Sequence, residues 1–286
     1  MPDLIPAVDT HAHVFDVACH FVEGRRYTPG YDATVQRYTH VLDQAGVQHG
    51  VLVQPSFLGT DNTYLLAGLR AFPDRLRGIV VVAPEIPDTA LEAMDAAGVR
   101  GLRYNLIGRD PALIGQSQYR ALTQRVTALG WLIEVQTAGA DLPRVLDTLT
   151  DDAAKVVVDH FGKPGLSEPK ADPGFRKLME FGPDGVVWVK LSAPYRLGGL
   201  DAAPYAAALH AHFGPQRLLW GSDGPWTQHE VATSYSECVA QISGWLPANP
   251  EHQARFDQTS RALYGFGARL AAPEVKISAS VPKSRT

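Results

Sequence analysis

The sequence predicts a single-domain α/β protein folded as a (β/α)8 TIM barrel, and three observations support that prediction. Its 286 residues are close to the ~250 residues typical of such a barrel. Short apolar runs rich in β-branched residues alternate with longer amphipathic stretches. There are eight such runs, and eight strands that are each followed by a helix close into a parallel barrel. The first strand-to-helix turn lacks a glycine-rich phosphate loop, which disfavours the alternative, an open doubly wound sheet.

The strands and helices follow one another along the chain in a regular order. Each predicted strand is a short apolar run, and each helical segment between strands is longer and amphipathic. The predicted strands are 7–11, 50–54, 78–83, 99–105, 131–136, 155–160, 186–192 and 218–223, and the predicted helices include 63–71, 89–97, 119–129, 142–149 and 202–213. The barrel is expected to occupy residues 1–270. A flexible tail is expected at 271–286, which is short of large apolar residues and rich in Ser, Lys and Pro.

Charge and composition exclude several classes of partner. A net charge of −4 at pH 7 argues against nucleic acid and anionic membranes, since both require a clustered basic surface. Two cysteines, Cys19 and Cys238, are too few for a disulfide framework, and no secretory signal pattern is present. No apolar run approaches the ~18 residues of a membrane span. We therefore expect a cytoplasmic protein with a small-molecule partner, while the oligomeric state stays open.

Three predicted strands end in residue types that carry chemistry. His11 and His13 are alternate residues at the end of the first strand, so their side chains share a face. The sixth strand ends in His160 and the eighth in Asp223. In a parallel barrel the functional groups lie at the carboxyl ends of the strands. We therefore expect these four side chains to form one site.

Other polar residues are expected to be structural. The triplet of His210, Ala211 and His212 lies in a predicted helix, where residues two apart diverge. Asp159 precedes His160 on a strand, so we expect it to face away from His160 and to anchor neighbouring backbone. Cys19 has no base at recognisable spacing and is expected to be a packed or loop cysteine.

Five segments together resemble one family. The sequence resembles the amidohydrolase superfamily from about residue 8 to about residue 266, most of all its branch of 2-pyrone-4,6-dicarboxylate, sulfomuconolactone and sugar-lactone hydrolases. This resemblance implies a distorted (β/α)8 barrel and hydrolysis of a lactone, with His11, His13, His160 and Asp223 as catalytic residues. The segments are Val8-Asp-Thr-His-Ala-His13, Arg100-Gly-Leu-Arg103-Tyr-Asn105, Val158-Asp-His160-Phe-Gly-Lys-Pro164, Lys190-Leu-Ser192 and Trp220-Gly-Ser-Asp223.

Departures from the superfamily pattern bear on the metal. Metal-dependent relatives usually carry a histidine at the end of the fifth strand, where this chain has Gln136, and an amide is a poor zinc ligand. Binuclear members carry a bridging lysine or glutamate on the fourth strand, where Tyr104 and Asn105 stand. We therefore expect no required cofactor. The alternative is a single Zn or Mn ion held by His11, His13, His160 and Asp223.

A lactone with a stabilised leaving oxygen can be opened without a metal. Asp223 would take the proton of the attacking water, and the histidines would polarise the carbonyl. The resemblance places substrate carboxylates at Arg103, Arg109 and Arg196, so the expected substrate is a small anionic lactone. Further candidates for the pocket are Lys163, Tyr27, Ser56, Asn62, Gln136 and Tyr195.

The sequence leaves three alternatives open. One is a sugar-acid lactone as the substrate, the second is a metal-dependent nonoxidative decarboxylase of an aromatic or unsaturated acid, and the third is a noncatalytic barrel. Relatives commonly read Trp-Pro-His after the acid, where this chain has Gly224, Pro225 and Trp226. We therefore expect a remodelled pocket floor, with His229 as a candidate replacement for the lost imidazole.

Overall fold

The computed structural model describes residues 4–152, 154–247 and 249–267 and confirms the barrel. Eight parallel strands pair in chain order, and a helix follows each of them. The strands are β1 (Val8–Ala12), β2 (His49–Val53), β3 (Leu76–Val80), β4 (Val99–Asn105), β5 (Leu132–Gln136), β6 (Val156–Val158), β7 (Val187–Ser192) and β8 (Leu218–Gly221). The predicted tail at 271–286 lies outside the described residues.

Nine α-helices are present in the described ranges, eight of them between or after the strands in regular alternation. They are α1 (Val35–Ala45), α2 (Thr63–Ala71), α3 (Asp88–Ala96), α4 (Ser117–Ala128), α5 (Leu142–Asp151), α6 (Pro173–Leu178), α7 (Ala203–Phe213), α8 (Tyr235–Trp245) and α9 (Pro250–Tyr264). Among the residues described, no helix combines the length and the apolar character needed to cross a membrane.

Strand residues alternate between the barrel interior and the helix layer, as the side-chain period of two requires. On β5, Ile133 and Val135 pack in the large cluster beneath the helices. Leu132 points into the barrel, where it belongs to an apolar cluster that Tyr264 and Phe266 cover at the amino-terminal end. Nearer the carboxyl ends of the strands the interior becomes polar and charged, and this half contains the site.

Hydrogen bonds between the ends of β8 and β1 bring the two histidines and the acid together. The backbone N–H of Asp223 donates to the carbonyl of His11 at 2.8 Å, and that of His13 donates to the carbonyl of Gly224 at 2.7 Å. Gly221 permits this approach, since a Cβ at that position would lie 2.5 Å from Cβ of His11. Any larger residue at position 221 would therefore push β8 away from His11.

Of the eight strands, β4 alone has its predicted range, and the differences at β3 and β6 are informative. The chain pairs as β3 at Leu76–Val80, earlier than the predicted 78–83, because apolar residues also fill the turn that follows. The sixth strand ends at Val158, because His160 and Phe161 adopt left-handed φ values of 54° and 57°. Strand alternation therefore does not apply across residues 159 and 160.

Candidate active site

Three imidazoles converge on one carboxylate oxygen. Nε2 of His11 lies 3.4 Å from Oδ1 of Asp223, Nε2 of His13 lies 3.7 Å from it, and Nε2 of His160 lies 3.8 Å from it. The rings of His11 and His13 are 5.0 Å apart, as expected for alternate residues that share a face. The structure therefore brings together the four residues that the strand ends predicted.

The other oxygen of the Asp223 carboxylate has its own donors. Nε of Arg196 donates to Oδ2 at 2.6 Å, and the hydroxyl of Tyr195 donates to the same oxygen at 2.6 Å. Burial raises the pKa of Asp223, but Arg196 and His160 outweigh burial and hold the pKa well below its usual range. Asp223 is therefore a carboxylate at neutral pH, with Oδ1 turned toward the imidazoles.

The second ring nitrogen of each histidine has a different partner. Nδ1 of His13 lies 2.7 Å from the carbonyl oxygen of Val53. Because a carbonyl only accepts, Nδ1 is the donor, and the neutral ring has its lone pair on Nε2. Nδ1 of His160 lies 2.9 Å from Oγ of Ser192, which can donate or accept. Burial lowers the pKa of His160 to about 4, so this ring is neutral at neutral pH.

A buried aspartate on β1 supports the loop that carries Asp223. Oδ1 and Oδ2 of Asp9 accept hydrogen bonds from the backbone N–H and the hydroxyl of Ser222, at 2.9 Å and 2.7 Å. The hydroxyl of Tyr235 also donates to Asp9, at 3.3 Å. Asp223 itself has a left-handed φ of 57°, a strained conformation for a residue other than glycine. The bonds to Ser222 hold the neighbouring residue in place and so position the strained one.

A cavity of about 320 Å³ opens above Asp223 and His13. Its wall is predominantly cationic, because four basic side chains line it against the single carboxylate of Asp223. It contains most of the predicted binding residues and Arg26, and residues that the sequence did not single out for binding also line it, among them Asn105, Ile107 and Thr227. The predicted residues that line it are Tyr27, Ser56, Arg103, Gln136, Lys163, Tyr195 and Arg196.

Several predicted residues lie elsewhere. His11 and His160 are fully buried beneath the cavity rather than in its wall. Arg109 lines an adjoining cavity of about 520 Å³ that shares Arg26 and Arg103 with the first. Asn62 is buried, and its amide donates to the carbonyls of residues 60 and 81, so the expectation that it completes the pocket is wrong.

Arg103 and Gln136 form one unit in the cavity wall. Nη2 of Arg103 donates to Oε1 of Gln136 at 2.9 Å, and Nη1 donates to the carbonyl of Gln54 at 3.0 Å. The side chain of Arg103 is only 3% exposed. Metal-dependent relatives usually carry a histidine at this strand end. In this chain Gln136 stands there instead and accepts a hydrogen bond from the guanidinium of Arg103.

A cluster of charged residues beneath His11 was missed by sequence reasoning. Glu134 and Lys190, on β5 and β7, are fully buried and paired with each other. Asp159 joins them, with Oδ1 3.2 Å from Nδ1 of His11 and 3.4 Å from Nζ of Lys190. A signal was present, because a charged residue at an inward position of an apolar strand is costly unless it is paired.

The prediction for Asp159 was therefore wrong. Its carboxylate makes no hydrogen bond to backbone and points instead toward His11 and Arg103, the latter at 3.6 Å. Strand alternation gave the wrong direction for the Asp159 side chain because the strand ends at Val158, one residue before Asp159. Burial raises the pKa of Asp159, but Lys190 and His11 outweigh burial and hold it well below the usual range.

Only the later part of the segment after Asp223 lines this cavity, at Thr227, Gln228 and His229. Gly224 and Trp226 line a separate cavity of about 330 Å³, which shares only His13 with the first. Gly224 and Trp226 therefore do not line the first cavity, and a remodelled pocket after Asp223 stays a prediction. His229 does line the first cavity, where its ring lies 4.9 Å from that of Tyr195.

The donors around Asp223 resemble a metal site in their spacing. Their spacing would admit one ion, since tetrahedral zinc with ligands at 2.0–2.1 Å separates them by about 3.3 Å. A metal-binding histidine normally donates its other N–H to an acceptor, and His13 does so to Val53. Nδ1 of His11 instead has Lys190 as its hydrogen-bond partner, and an ammonium cannot accept. The set of four donors therefore does not fit a metal centre that includes His11.

Comparison with known proteins agrees with the sequence motifs. The family model described as Amidohydrolase matches residues 8–266. The chain is 31% identical to a 2-pyrone-4,6-dicarboxylate hydrolase of Comamonas testosteroni, over 77% of this chain and 76% of the relative. It is 29% identical to a 4-sulfomuconolactone hydrolase of Rhizobium radiobacter, over 77% and 75%. A candidate 2-pyrone-4,6-dicarboxylic acid hydrolase of Pseudomonas putida superposes with a TM-score of 0.83 at 39% identity, over 93% and 99%.

Proposed function

The chain belongs to the amidohydrolase family, and on that premise we propose that it is a hydrolase that opens a small anionic lactone. The observation that carries this proposal is the convergence of three imidazoles on Oδ1 of Asp223, at the base of a cavity lined by arginines. The relatives described as pyrone-dicarboxylate and sulfomuconolactone hydrolases support the same reaction class.

Asp223 is the general base of the proposed reaction. Water attacks the lactone carbonyl, and Oδ1 of Asp223 takes its proton while the bond to the carbonyl carbon forms. Nε2 of His13 lies 3.7 Å from that oxygen and bears a lone pair in the neutral ring, so both groups can accept from one water. Collapse of the tetrahedral intermediate breaks the ring C–O bond, and the proton on Asp223 passes to the leaving oxygen.

The carbonyl oxygen becomes an oxyanion on the way, and the buried rings supply its donors. Nε2 of His11 and Nε2 of His160 are both buried and without a hydrogen-bond partner among the described residues. Both lie within 4 Å of Oδ1 of Asp223, so one substrate can reach the base and the donors together. Donors aimed at a developing charge in a water-excluded site stabilise the transition state by several kcal/mol, about 2.7–4 for one donor.

Cationic side chains select an anionic substrate. Arg26, Arg103, Arg196 and Lys163 line the cavity. Burial and its arginine neighbours lower the pKa of Arg26, which shows how closely these positive charges approach one another. A carboxylate or sulfonate on the lactone would relieve this repulsion. The arginines therefore favour a carboxylated or sulfonated lactone over a sugar-acid lactone without such a group.

We propose that the reaction proceeds without a cofactor. The leaving oxygen of a pyrone or muconolactone departs as a stabilised enolate, so a base and oxyanion donors suffice. The alternative, a nonoxidative decarboxylase, depends on a bound metal, and the position of Gln136 beside Arg103 leaves the fifth strand without a ligand.

Acid release from a panel of lactones tests the proposal. The panel contains carboxylated, sulfonated and sugar-derived lactones, and the enzyme is treated with chelator and its metal content measured. Turnover of a charged lactone at full rate without metal is expected, with Asp223→Asn as the inactive control. Activity that returns only with zinc or manganese would overturn the metal-free route. Carbon dioxide release from aromatic acids without lactone hydrolysis would overturn the lactonase and favour the decarboxylase.

A further inference from the structure

Lys190 is a buried cation directly beneath the proposed oxyanion donors. Its Nζ lies 3.1 Å from Nδ1 of His11 and 3.4 Å from Oδ1 of Asp159, and it also donates to Oε2 of Glu134. Neither Lys190 nor its two acidic partners has exposed side-chain surface. The ammonium thus makes hydrogen bonds to His11 and Glu134 and an ion pair with Asp159. The proposed mechanism does not use this ammonium.

The direction of the bond between Lys190 and His11 follows from the chemistry of the donor. A protonated amine donates and cannot accept, so Nδ1 of His11 must be the acceptor and carry no proton. An imidazole ring without a proton on Nδ1 is neutral and has a single N–H. That proton must therefore be on Nε2, the nitrogen that lies 3.4 Å from Oδ1 of Asp223.

A competing arrangement is present in the same cluster. Oδ1 of Asp159 lies 3.2 Å from Nδ1 of His11 and could accept from it if the proton were there. Oε1 of Glu134 is a second such acceptor, 3.4 Å from Nδ1. However, neither this oxygen nor either carboxylate oxygen of Asp159 has a hydrogen-bond partner among the described residues. The arrangement of the bonds therefore favours Lys190 over Asp159 as the partner of Nδ1.

We propose that Lys190 is a positioning residue that fixes His11 in the tautomer with the proton on Nε2. In that tautomer His11 presents a donor to the carbonyl oxygen of the substrate. The proposed function requires such a donor, and this inference rests on that function. Glu134 also accepts a hydrogen bond from Lys190 and helps to hold the ammonium beside the ring. Without Lys190, Nδ1 would donate to Asp159 and Nε2 would present a lone pair that repels the developing oxyanion.

Nitrogen NMR of the full chain labelled with ¹⁵N-histidine tests the tautomer without any need for activity. The two ring nitrogens of a neutral histidine have distinct shifts, and His11 is assigned by its loss in His11→Asn. We expect the proton on Nε2 in the wild type and on Nδ1 in Lys190→Met. The matched control is Lys177→Met, which removes a surface lysine that pairs with Asp147 and Glu180.

The outcomes separate positioning from a structural role. A wild-type ring protonated on Nδ1, or an unchanged tautomer in Lys190→Met, would overturn the inference. If Lys190→Met does not fold, Asp159→Asn replaces it, because this variant retains Lys190 and is expected to keep the proton on Nε2. A switch of tautomer in Asp159→Asn would show that Asp159 governs the ring and would equally overturn the role of Lys190.

Kinetics then connect the tautomer to the reaction. Lys190→Met is expected to lower kcat at least 100-fold with little change in KM, the loss typical of one missing oxyanion donor. If the tautomer of His11 switches in Lys190→Met and kcat does not change, the claim that this tautomer matters for catalysis is overturned. If no lactone is turned over by the wild type, the proposed function fails, yet the NMR result still decides whether Lys190 fixes the ring.

Discussion

Arg196 donates from Nε to Oδ2 of Asp223 at 2.6 Å, so a proposed substrate-binding residue is bonded to the proposed base. The guanidinium also donates to the carbonyl of Thr227 at 3.1 Å. This pairing keeps Asp223 ionised and also makes it a weaker base, because its pKa is held well below the usual range. Arg196 therefore affects both recognition of the anion and the strength of the base.

Replacing Arg196 by methionine is expected to move the pH dependence of the reaction. Removal of the cation raises the pKa of Asp223, and only the ionised carboxylate accepts a proton. The acid limb of the profile of kcat against pH therefore moves to higher pH, and KM for an anionic lactone rises. A profile measured from pH 3 to pH 8 checks this. An acid limb that stays in place would show that Arg196 does not set the protonation of the base.

Asp223→Asn is expected to abolish turnover and leave binding largely intact. The amide keeps the shape and can accept a hydrogen bond, but it cannot take a proton from water, and general-base catalysis contributes about 100- to 10,000-fold. Single-turnover rates and calorimetric binding of the substrate measure the two effects separately. Turnover equal to the wild type would exclude Asp223 as the base.

His160 is expected to remain neutral throughout the physiological range. Burial lowers its pKa to about 4, in spite of the opposing charges of Asp223 and Asp159. NMR titration of the His160 ring, assigned by its loss in His160→Asn, should therefore give a midpoint near pH 4. A midpoint near the ordinary histidine value of about 6.5 would mean that the ring is cationic in part of the working range.

Gln136→Leu is expected to weaken substrate binding. The variant removes the acceptor of the 2.9 Å bond from Nη2 of Arg103 and leaves the guanidinium less well oriented. A hydrogen bond to a charged group contributes about 1.5–3 kcal/mol, so KM should rise about 10-fold or more. Steady-state kinetics measure the change, with the exposed Gln124→Leu as control. Unaltered KM would show that Arg103 holds its position without Gln136.

Glu134→Leu is expected to destabilise the fold. It removes the carboxylate that accepts a hydrogen bond from the buried Lys190, and loss of one partner of a buried pair costs about 3–5 kcal/mol. Urea denaturation gives the free energy of unfolding. The control is Asp147→Asn, which removes an exposed partner of Lys177 and should cost less than about 1 kcal/mol. A similar loss for both variants would contradict the importance assigned to the buried pair.

The sequence predicted the four central residues because strand ends are local features. His11, His13, His160 and Asp223 each follow an apolar run, and parallel strands of a barrel all end at the same face. Only topology and residue type were needed to bring them together. The separations of 3.4–3.8 Å between the ring nitrogens and the carboxylate were not readable from the chain.

The charged cluster depended on tertiary structure. Glu134 and Lys190 are 56 positions apart in the sequence, and nothing local indicates that they share one buried bond. Asp159 was misjudged because left-handed backbone at His160 ends the strand early and turns the carboxylate inward. Long-range pairing and local strain are both consequences of packing.

By itself the sequence determined the barrel, the family and the face on which the site lies, because periodicity, strand count and strand-end residues are properties of short segments. Only the tertiary structure decided which partner each polar atom takes. Gln136 binds Arg103, Arg196 binds Asp223 and Lys190 binds His11, at distances of 2.6–3.1 Å. The physical reason is that burial removes water as a partner, so each polar atom must bond to whatever neighbour the fold brings within reach.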